Sequence, residues 1–246
     1  MKAIAARAIT KRFVIDAEPL TLLNLFRRAV RRKARRRIVE ALRGIDFEAS
    51  PGDRLGVIGD NGSGKTTLLR IIAGLYRPSA GTVSVQGTVA AFLQLGIGME
   101  RNLSALENIF LFGAIMGVDR GTLAGKVDDI AEFAEVSDLL DVPLRDYSMG
   151  MVQRLALSIA RYVDSDVLLL DEMLSSGDVS FREKCALVFD EYANRSKTLI
   201  IISHEMGVIR RFCNKALLLD RGVQVAFGPS EEVVDRYERR AFARRA

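Results

Sequence analysis

The sequence is poor in the residues that build metal centres and disulfide frameworks, with one histidine and two cysteines in 246 residues. Cys185 and Cys213 are far apart in the chain, so they fit neither a metal-binding nor a redox-motif spacing. Isolated thiols suit a reducing cytosol, where cysteines stay free. The sequence therefore indicates neither a disulfide scaffold nor a cysteine-ligated metal.

Long hydrophobic runs are also lacking. The chain begins MKAIAARAIT, without the apolar core of a signal peptide. Its longest uncharged, apolar-rich stretch, Ile109–Val118, is far shorter than the roughly 20 residues that cross a membrane. At 49% hydrophobic, the chain can still bury the core of one large domain or of a domain with a subdomain. We therefore expect a soluble or at most peripheral protein.

Positive charge is concentrated in one segment, Arg27–Arg37, here called the basic arm. It holds eight lysines and arginines and no acid. The formal net charge of the chain is +5, so removing the arm's eight charges leaves −3. A nucleic-acid-binding domain is normally basic over its binding surface as a whole. By itself the arm is compatible with nucleic acid, an anionic membrane or a solvated helix.

Short β-branched runs alternate with helical patterns, which favours an α/β fold. Continuously apolar runs, typical of parallel strands covered on both faces, occur at Arg54–Gly59, Asp166–Asp171, Thr198–Ser203 and Ala216–Asp220. Gly81–Phe92 and Gly222–Gly228 alternate between glycines, which predicts hairpin strands. From about Leu103 to Arg161 the pattern is helical, with an apolar face over Asp128–Asp141. The sequence therefore predicts a sheet core with a helical insert.

The most specific motif is G-x-x-x-x-G-K-T at Gly59–Thr66. It follows a predicted strand and opens a predicted helix, the context in which backbone N–H groups and a helix N-terminus bind phosphates. A glycine-rich turn that only caps a helix is the alternative, and this context argues against it. The predicted nucleotide-binding residues are Gly59, Asp60, Asn61, Gly62, Ser63, Gly64, Lys65, Thr66 and Thr67.

Residues within this motif have separate predicted tasks. The three glycines allow a close backbone approach that a Cβ would obstruct. Lys65 is expected to reach the β- and γ-phosphates, and the Thr66 hydroxyl to bind Mg²⁺. The motif therefore predicts binding of ATP with Mg²⁺.

Polar residues follow two of the predicted buried strands. Asp171 and Glu172 end one of them, where open α/β sheets build their sites. We expect Asp171 to support Mg²⁺ and Glu172 to activate the attacking water. His204 follows another buried strand, and that placement favours a γ-phosphate contact over an ordinary helix cap or surface residue.

The stretch YSMGMVQRLALSIAR, Tyr147–Arg161, is by itself only a helix with Ser148 as its N-cap. Between the phosphate loop and the strand that ends in Asp171, it resembles the signature helix of ABC-type ATPases. The order of phosphate loop, glutamine loop, signature, acidic strand, D-loop and histidine loop matches over nearly the whole chain. The resemblance implies a phosphate-loop NTPase (RecA-like) core with an antiparallel β subdomain and a helical signature subdomain.

The same resemblance assigns further residues. It implies a head-to-tail dimer that encloses two ATP molecules, with Ser148 and Gly150 of one copy facing the γ-phosphate bound by the other. It places Gln94 where the family's glutamine senses Mg²⁺ and the lytic water, and Asp178 in the D-loop. Phe13 is the best match for the aromatic that stacks on adenine, with an ordinary core phenylalanine as the alternative.

Departures from the common pattern indicate a subfamily. The signature has Tyr147, Met149 and Met151 where Leu-Ser-Gly-Gly-Gln is common, although the phosphate-facing pair is kept. Gly177 and Met173 replace a usual Leu and a frequent Pro. The stretches YSMGM, SSGDVSFREKC and LGIGMERNLSALENI together resemble the ATPase subunits of exporters for lipid-linked polysaccharides such as O-antigen, capsule or teichoic acid. The resemblance implies a transmembrane permease as partner and a peripheral location at the cytoplasmic face of the cell membrane.

The predicted organisation is a single ABC ATPase domain over 1–246. It contains a basic amphipathic helical insertion over 20–40, a helical subdomain over about 100–160 and a C-terminal helix over 229–246. The insertion has an apolar face that runs into the basic arm, as interfacial helices do. We expect the arm to contact an anionic membrane surface or the pyrophosphate of a lipid-linked glycan, with a solvated helix as the alternative and nucleic acid not expected.

The sequence therefore predicts the ATP-hydrolysing subunit of a polysaccharide exporter. Two alternatives stay open, namely the ATPase of a small-solute transporter and a soluble ABC-type protein that acts on DNA or ribosomes. The second usually has two cassettes or long coiled coils, and no sustained heptad run is present. A structural role without hydrolysis is disfavoured, because every expected catalytic position is occupied.

Overall fold

The computed structural model describes residues 2–16, 36–92, 98–171 and 179–244. Its strands are β1 (Ile4–Asp16), β2 (Arg36–Ala49), β3 (Arg54–Ile58), β4 (Ala80–Val85), β5 (Val89–Phe92), β6 (Val167–Asp171), β7 (Thr198–Ile202), β8 (Lys215–Asp220) and β9 (Val223–Pro229). Its α-helices are α1 (Lys65–Ile72), α2 (Ala105–Ile115), α3 (Arg120–Ala124), α4 (Val127–Ala134), α5 (Met149–Ala160), α6 (Val179–Asn194), α7 (Met206–Phe212) and α8 (Ser230–Ala243).

The larger sheet has the order β5-β6-β7-β3-β8-β9. All of its neighbouring strands are parallel except β9, which pairs antiparallel with β8. The four continuously apolar runs are β3, β6, β7 and β8, so the prediction of buried parallel strands is confirmed. The antiparallel β8–β9 pair likewise confirms the hairpin predicted at Gly222–Gly228.

The smaller sheet is antiparallel, with the order β2-β1-β4. The hairpin predicted over Gly81–Phe92 is therefore wrong, because β4 pairs with β1 whereas β5 pairs in parallel with β6. The Asp166 carboxylate explains the separation, since it accepts hydrogen bonds from the Thr88 N–H at 2.8 Å and the Thr88 hydroxyl at 3.1 Å. These bonds hold the start of β5 beside β6.

Helices α2 to α5 occupy the region where the sequence pattern is helical. The apolar periodicity over Asp128–Asp141 overstates the length of α4, which ends at Ala134. The next residue, Glu135, has a left-handed backbone (φ 61°), which ends the helix. Within the described ranges, no helix has both the length and the apolar character needed to cross a membrane.

The helical insertion predicted over 20–40 is wrong at its end. Residues 36–40 belong to β2 and pair with β1, with Arg36 opposite Asp16 and Glu40 opposite Arg12. This pairing supplies the backbone hydrogen bonds that a helix would otherwise provide. The rest of the predicted insertion, up to residue 35, and most of the basic arm lie outside the described residues.

The core lies on both faces of the larger sheet. On β6, Leu168 and Leu170 pack into one buried cluster, and Val167 and Leu169 pack into another. Because successive strand residues point to opposite faces, an unbroken apolar run fills both layers. Burying each such side chain contributes about 1.5–3 kcal/mol. The sheet therefore holds the carboxyl ends of β3, β6 and β7 firmly at one edge, where the candidate site lies.

Candidate nucleotide site

The phosphate loop joins β3, near the middle of the larger sheet, to α1. Two of its glycines have backbones that side-chain-bearing residues rarely adopt, with φ 144° at Gly59 and φ 107° at Gly64. A Cβ at Gly59 would lie 2.1 Å from the carbonyl oxygen of Leu219, and one at Gly64 would lie 2.7 Å from that of Ala41. The neighbouring strands therefore fix the loop's shape, and only glycine fits at these two positions.

Lys65 crosses the inside of this loop. Its residue is only 5% exposed, and its ammonium group donates hydrogen bonds to the carbonyl oxygens of Gly59 at 2.7 Å and Asp60 at 3.1 Å. The Ser63 residue is 2% exposed, and its hydroxyl has no hydrogen-bond partner among the described residues. A buried cation and a buried hydroxyl in one loop are groups that an anion with several oxygens can satisfy.

Helix α1 begins inside this loop. Its N-cap is Gly64, and no side chain caps its first turn. The N–H groups of the first turn therefore point toward the loop without a side-chain acceptor, and the positive end of the helix favours an anion there. This arrangement can bind a chain of phosphates, as the motif predicts.

An open groove of about 390 Å³ runs along the loop. Its lining from the loop and α1 consists of Asn61, Gly62, Ser63, Gly64, Lys65, Thr66 and Thr67. The opposite side comes from Val39, Glu40, Ala41 and Arg43 of β2 and from Arg221. Seven of the predicted nucleotide-binding residues therefore share one groove, and two arginines that the sequence analysis missed line it with them.

Arg221 reaches the groove because of the turn between β8 and β9. Its backbone is left-handed (φ 49°), and Gly222 follows it. The Gly222 N–H donates to the Ser63 carbonyl at 2.9 Å, and the Arg43 N–H donates to the Gly222 carbonyl at 2.8 Å. The turn thus links the phosphate loop to β2. Only the Arg-Gly pair between two strand patterns signals this turn in the sequence, and it does not reveal the contact.

Phe13 lies on β1 directly opposite Val39, a residue that lines the groove. It is half-buried and contacts the Tyr76 ring edge-on, with a centroid distance of 5.7 Å. The Lys11 ammonium lies 5.1 Å from the Phe13 ring centroid. The partial burial of Phe13 and its contact with Tyr76 fit both interpretations of the residue, stacking on adenine and packing in the core. Its stacking on adenine stays a prediction.

The predicted strand-end residues lie at one edge of the sheet. Asp171 is the last residue of β6 and pairs with Ile202, the last residue of β7. The exposed His204 lies just beyond β7, which runs beside β3 and hence beside Gly59. Parallel strands end at the same edge, so Asp171 and His204 lie on the phosphate-loop side of the sheet. Glu172, Gln94 and Asp178 lie outside the described residues.

The predicted signature residues form the N-terminus of α5. The Ser148 hydroxyl accepts a hydrogen bond from the Met151 N–H at 3.2 Å, so Ser148 is the N-cap, and Gly150 lies in the first turn. Ser148 is exposed and Met149 is 62% exposed. Behind them, Tyr147 is 5% exposed, its hydroxyl donates to the Leu139 carbonyl at 2.6 Å, and burial raises its pKa. A fixed helix end therefore faces outward.

Comparison with known proteins places this site in a family. A family model described as "ABC transporter" matches residues 42–175, more than half of the chain. The O-antigen export system ATP-binding protein RfbB of Myxococcus xanthus is 36% identical over 96% of this chain and 56% of its own length. The teichoic acids export ATP-binding protein TagH of Bacillus anthracis is 37% identical over 80% of this chain and 36% of its own length.

A third relative, the O-antigen export system ATP-binding protein RfbB of Klebsiella pneumoniae, is 33% identical over 80% of both chains. This chain thus spans about half the length of the Myxococcus relative and about a third of the Bacillus one.

Solved structures show the same fold. The ATP-binding cassette MJ0796, in a dimeric post-hydrolysis state bound to ADP and Pi, superposes with a TM-score of 0.74 over 92% of this chain and 98% of that one, at 19% identity. The cbiO1 protein of Clostridium perfringens superposes with a TM-score of 0.69 over 96% of this chain and 92% of that one, also at 19% identity. With the family match, these results establish that the chain has the fold of ABC ATPase domains and belongs to the ABC transporter family.

Proposed function

We propose that this chain is the ATP-hydrolysing subunit of an ABC exporter that moves a lipid-linked polysaccharide through a separate transmembrane permease. The observation that carries the proposal is the phosphate loop, in which the buried Lys65 and Ser63 line a groove beside the start of α1. The names of the Myxococcus, Klebsiella and Bacillus relatives support an O-antigen or teichoic-acid type of substrate.

In the proposed mechanism, the loop N–H groups and Lys65 hold the phosphates of ATP, and Phe13 stacks on the adenine. The Thr66 hydroxyl and the Asp171 carboxylate offer the oxygen ligands that Mg²⁺ prefers, together with Gln94. When bound there, Mg²⁺ would neutralise part of the negative charge of the phosphates. Glu172 accepts a proton from the water that attacks the γ-phosphorus in line, and His204 stabilises the charge that develops there.

The second half of the proposed site comes from another copy of the chain. Ser148 and the Gly150 N–H of that copy contact the γ-phosphate, and Asp178 lies at the same junction. The outward-facing N-terminus of α5 supports this arrangement, because an exposed helix end can reach a neighbour's nucleotide. ATP thereby joins two subunits beneath the permease.

The proposed location is the cytoplasmic face of the cell membrane, where the permease holds the subunit. The basic arm then has an anionic surface available, and each Lys or Arg near such a surface contributes about 1 kcal/mol. Eight of them supply several kcal/mol even if half are out of reach. The pyrophosphate of the lipid-linked glycan is also negatively charged, and the arginines of the basic arm can pair with it.

Glu172→Gln tests the function. We expect the variant to bind ATP, to hydrolyse it about a thousandfold more slowly because the general base is lost, and to form an ATP-trapped dimer on size-exclusion chromatography. In cells, it should block surface display of the glycan and co-purify with a membrane permease. The matched control is Glu183→Gln, an equally conservative change at an exposed residue of α6.

Each rival function gives a different outcome. Loss of solute uptake with normal glycan display would indicate the small-solute transporter. Co-purification with ribosomes or DNA would indicate the soluble ABC-type protein. Unimpaired hydrolysis by the Glu172 variant would overturn the assignment of the general base.

A further inference from the structure

Helix α8, close to the end of the chain, contacts the phosphate loop directly. One Arg244 nitrogen lies 2.7 Å from one carboxylate oxygen of Asp60, and the Tyr237 hydroxyl donates to the other at 3.0 Å. Asp60 directly follows Gly59 inside the loop. Both oxygens of this carboxylate are therefore bound by side chains of α8 and of its C-cap residue, Arg244.

Arg244 also holds a second carboxylate. Its other terminal nitrogen lies 2.6 Å from Asp220, the last residue of β8, and Arg240 lies 2.8 Å from the same oxygen. The guanidinium thus bridges the phosphate loop and the strand that precedes the Arg221–Gly222 turn. Since that turn contacts the Ser63 carbonyl, α8 supports the loop by two routes.

The first turns of α8 are fixed to α7, which begins shortly after His204. Arg210 of α7 lies 2.6 Å from Asp235 and 3.0 Å from Glu238, and it also forms an ion pair with Glu231. Val233 and Val234 of α8 are buried in the core. The helix is therefore anchored at its beginning, and Arg244 at its end bonds to the loop.

Asp60 belongs to the loop that is expected to hold the anion, and its carboxylate is bonded to residues on the α8 side of that loop. Its carbonyl oxygen accepts a hydrogen bond from Lys65, the cation expected to contact the phosphates. A negative carboxylate beside a phosphate site repels the ligand, and a neighbouring cation cancels that repulsion. Bonds to both carboxylate oxygens also hold Asp60 in place, and with it the carbonyl oxygen that accepts the hydrogen bond from Lys65.

We propose that Arg244 is a positioning residue for ATP: by neutralising and fixing Asp60, the end of α8 sets the affinity of the phosphate loop for the nucleotide. This proposal rests on the proposed placement of ATP on that loop. It also makes α8 a point of control, because anything that moves the end of this helix away from Asp60 weakens ATP binding without contact with the nucleotide.

The test compares Arg244→Ala with Arg239→Ala, a matched change on the same helix at a side chain that is 83% exposed. Binding of a fluorescent ATP analogue is measured at low and high salt. We expect about fivefold weaker binding for Arg244→Ala at low salt, the upper range for exposed ion pairs, and a smaller loss at high salt. Arg239→Ala should bind normally, and Arg244→Lys should recover part of the loss.

Two further measurements separate positioning from a general structural effect. At saturating ATP, kcat of Arg244→Ala should match that of the wild type, so the change lies in KM, and the melting temperature should fall by no more than about 4 °C. In an Asp60→Asn background, Arg244→Ala should weaken ATP binding much less than it does in the wild type, because the charge that Arg244 neutralises is gone and mainly its bond to Asp220 is lost.

The outcomes that overturn the proposal are distinct from failure of the proposed function. Equal ATP affinity of wild type and Arg244→Ala at low salt rules it out. The proposal is also ruled out if Arg244→Ala lowers ATP affinity by the same factor in the Asp60→Asn background as in the wild type. If the wild-type protein itself does not bind ATP, the proposed function fails instead.

Discussion

The two helix N-termini assigned to ATP differ in how their first turns are satisfied. At α1 the N-cap is Gly64, no side chain caps the turn, and the adjoining Lys65 and Ser63 are buried. At α5 the N-cap is Ser148, which accepts a hydrogen bond from Met151, and the turn is exposed. The first turn of α1 has no side-chain acceptor for its N–H groups, whereas the first turn of α5 has the Met151 N–H capped by Ser148 and is presented at the surface.

This difference assigns separate tasks to the two regions. A loop with a buried cation and an uncapped helix can bind an anion within one chain. An exposed, capped helix end can add a contact only when another molecule approaches it. We therefore expect binding of ATP to depend on the phosphate loop and its hydrolysis to depend on both regions. Mutations in each region should separate these two steps.

Among changes at these two helix N-termini, the largest effect on ATP binding is expected from Lys65→Ala. Losing the buried ammonium removes a charge-assisted contact to the phosphates and leaves the Gly59 and Asp60 carbonyl oxygens without this donor. We expect ATP affinity to fall at least about a hundredfold, corresponding to about 3 kcal/mol. Isothermal titration calorimetry checks this. If Lys65→Ala bound ATP within a few-fold of the wild-type affinity, the proposed division of tasks between the two regions would be contradicted.

The next effect concerns hydrolysis alone. Ser148→Ala should lower kcat about tenfold to a hundredfold, because removing one donor to the transition-state phosphate costs a few kcal/mol, while ATP binding to the monomer stays normal. The control is Ser104→Ala, since Ser104 caps α2 through a matching 3.2 Å bond to the Glu107 N–H. Both variants lose about 1 kcal/mol of helix capping. Equal ATPase rates in the two variants would show that Ser148 is only a cap.

The smallest effect concerns stability beneath the phosphate loop. Asp53, just before β3, bonds to Lys215 at 2.7 Å and Asn214 at 3.1 Å. Burial alone would raise its pKa, but these bonds and the Ser50 N–H bring the pKa below the ordinary 3.8. We expect Asp53→Asn to lower the free energy of unfolding by about 1 kcal/mol at neutral pH, as measured by urea denaturation.

The pH dependence of this effect has a definite sign. Because the folded-state pKa is lowered, the stabilisation is complete above pH 3.8 and disappears as the pH falls below it. The difference in the free energy of unfolding between the wild type and Asp53→Asn should therefore decrease in acid. Asp164→Asn is the control, since Asp164 pairs with Lys197 at 2.9 Å but is 92% exposed. If Asp164→Asn lowered the free energy of unfolding as much as Asp53→Asn does, the proposed role of burial would be contradicted.

The sequence predicted the parts of the fold that depend on local patterns. The unbroken apolar runs identified β3, β6, β7 and β8, because a strand covered on both faces needs apolar residues at every position. The alternation over Gly81–Phe92 identified strands but not their partners, since the same pattern serves β4 in one sheet and β5 in another. Pairing depends on residues far along the chain, such as Asp166.

The candidate site shows the same limit. The phosphate-loop residues were predictable because their spacing is a local motif. Arg43 and Arg221 were not, because folding brings β2 and the β8–β9 turn to the loop. The contact between Arg244 and Asp60 joins residues 184 positions apart. No local periodicity or spacing encodes such a pair.

The contact of Lys65 with two carbonyl oxygens has a consequence for the thermodynamics of ATP capture. The ammonium group is withdrawn from water when the chain folds, so its dehydration belongs to folding and not to the association step. When a triphosphate binds, the already dehydrated Lys65 ammonium exchanges neutral carbonyl acceptors for anionic phosphate oxygens. Association should therefore require little rearrangement of the loop, and the strengthened electrostatic attraction appears directly as affinity.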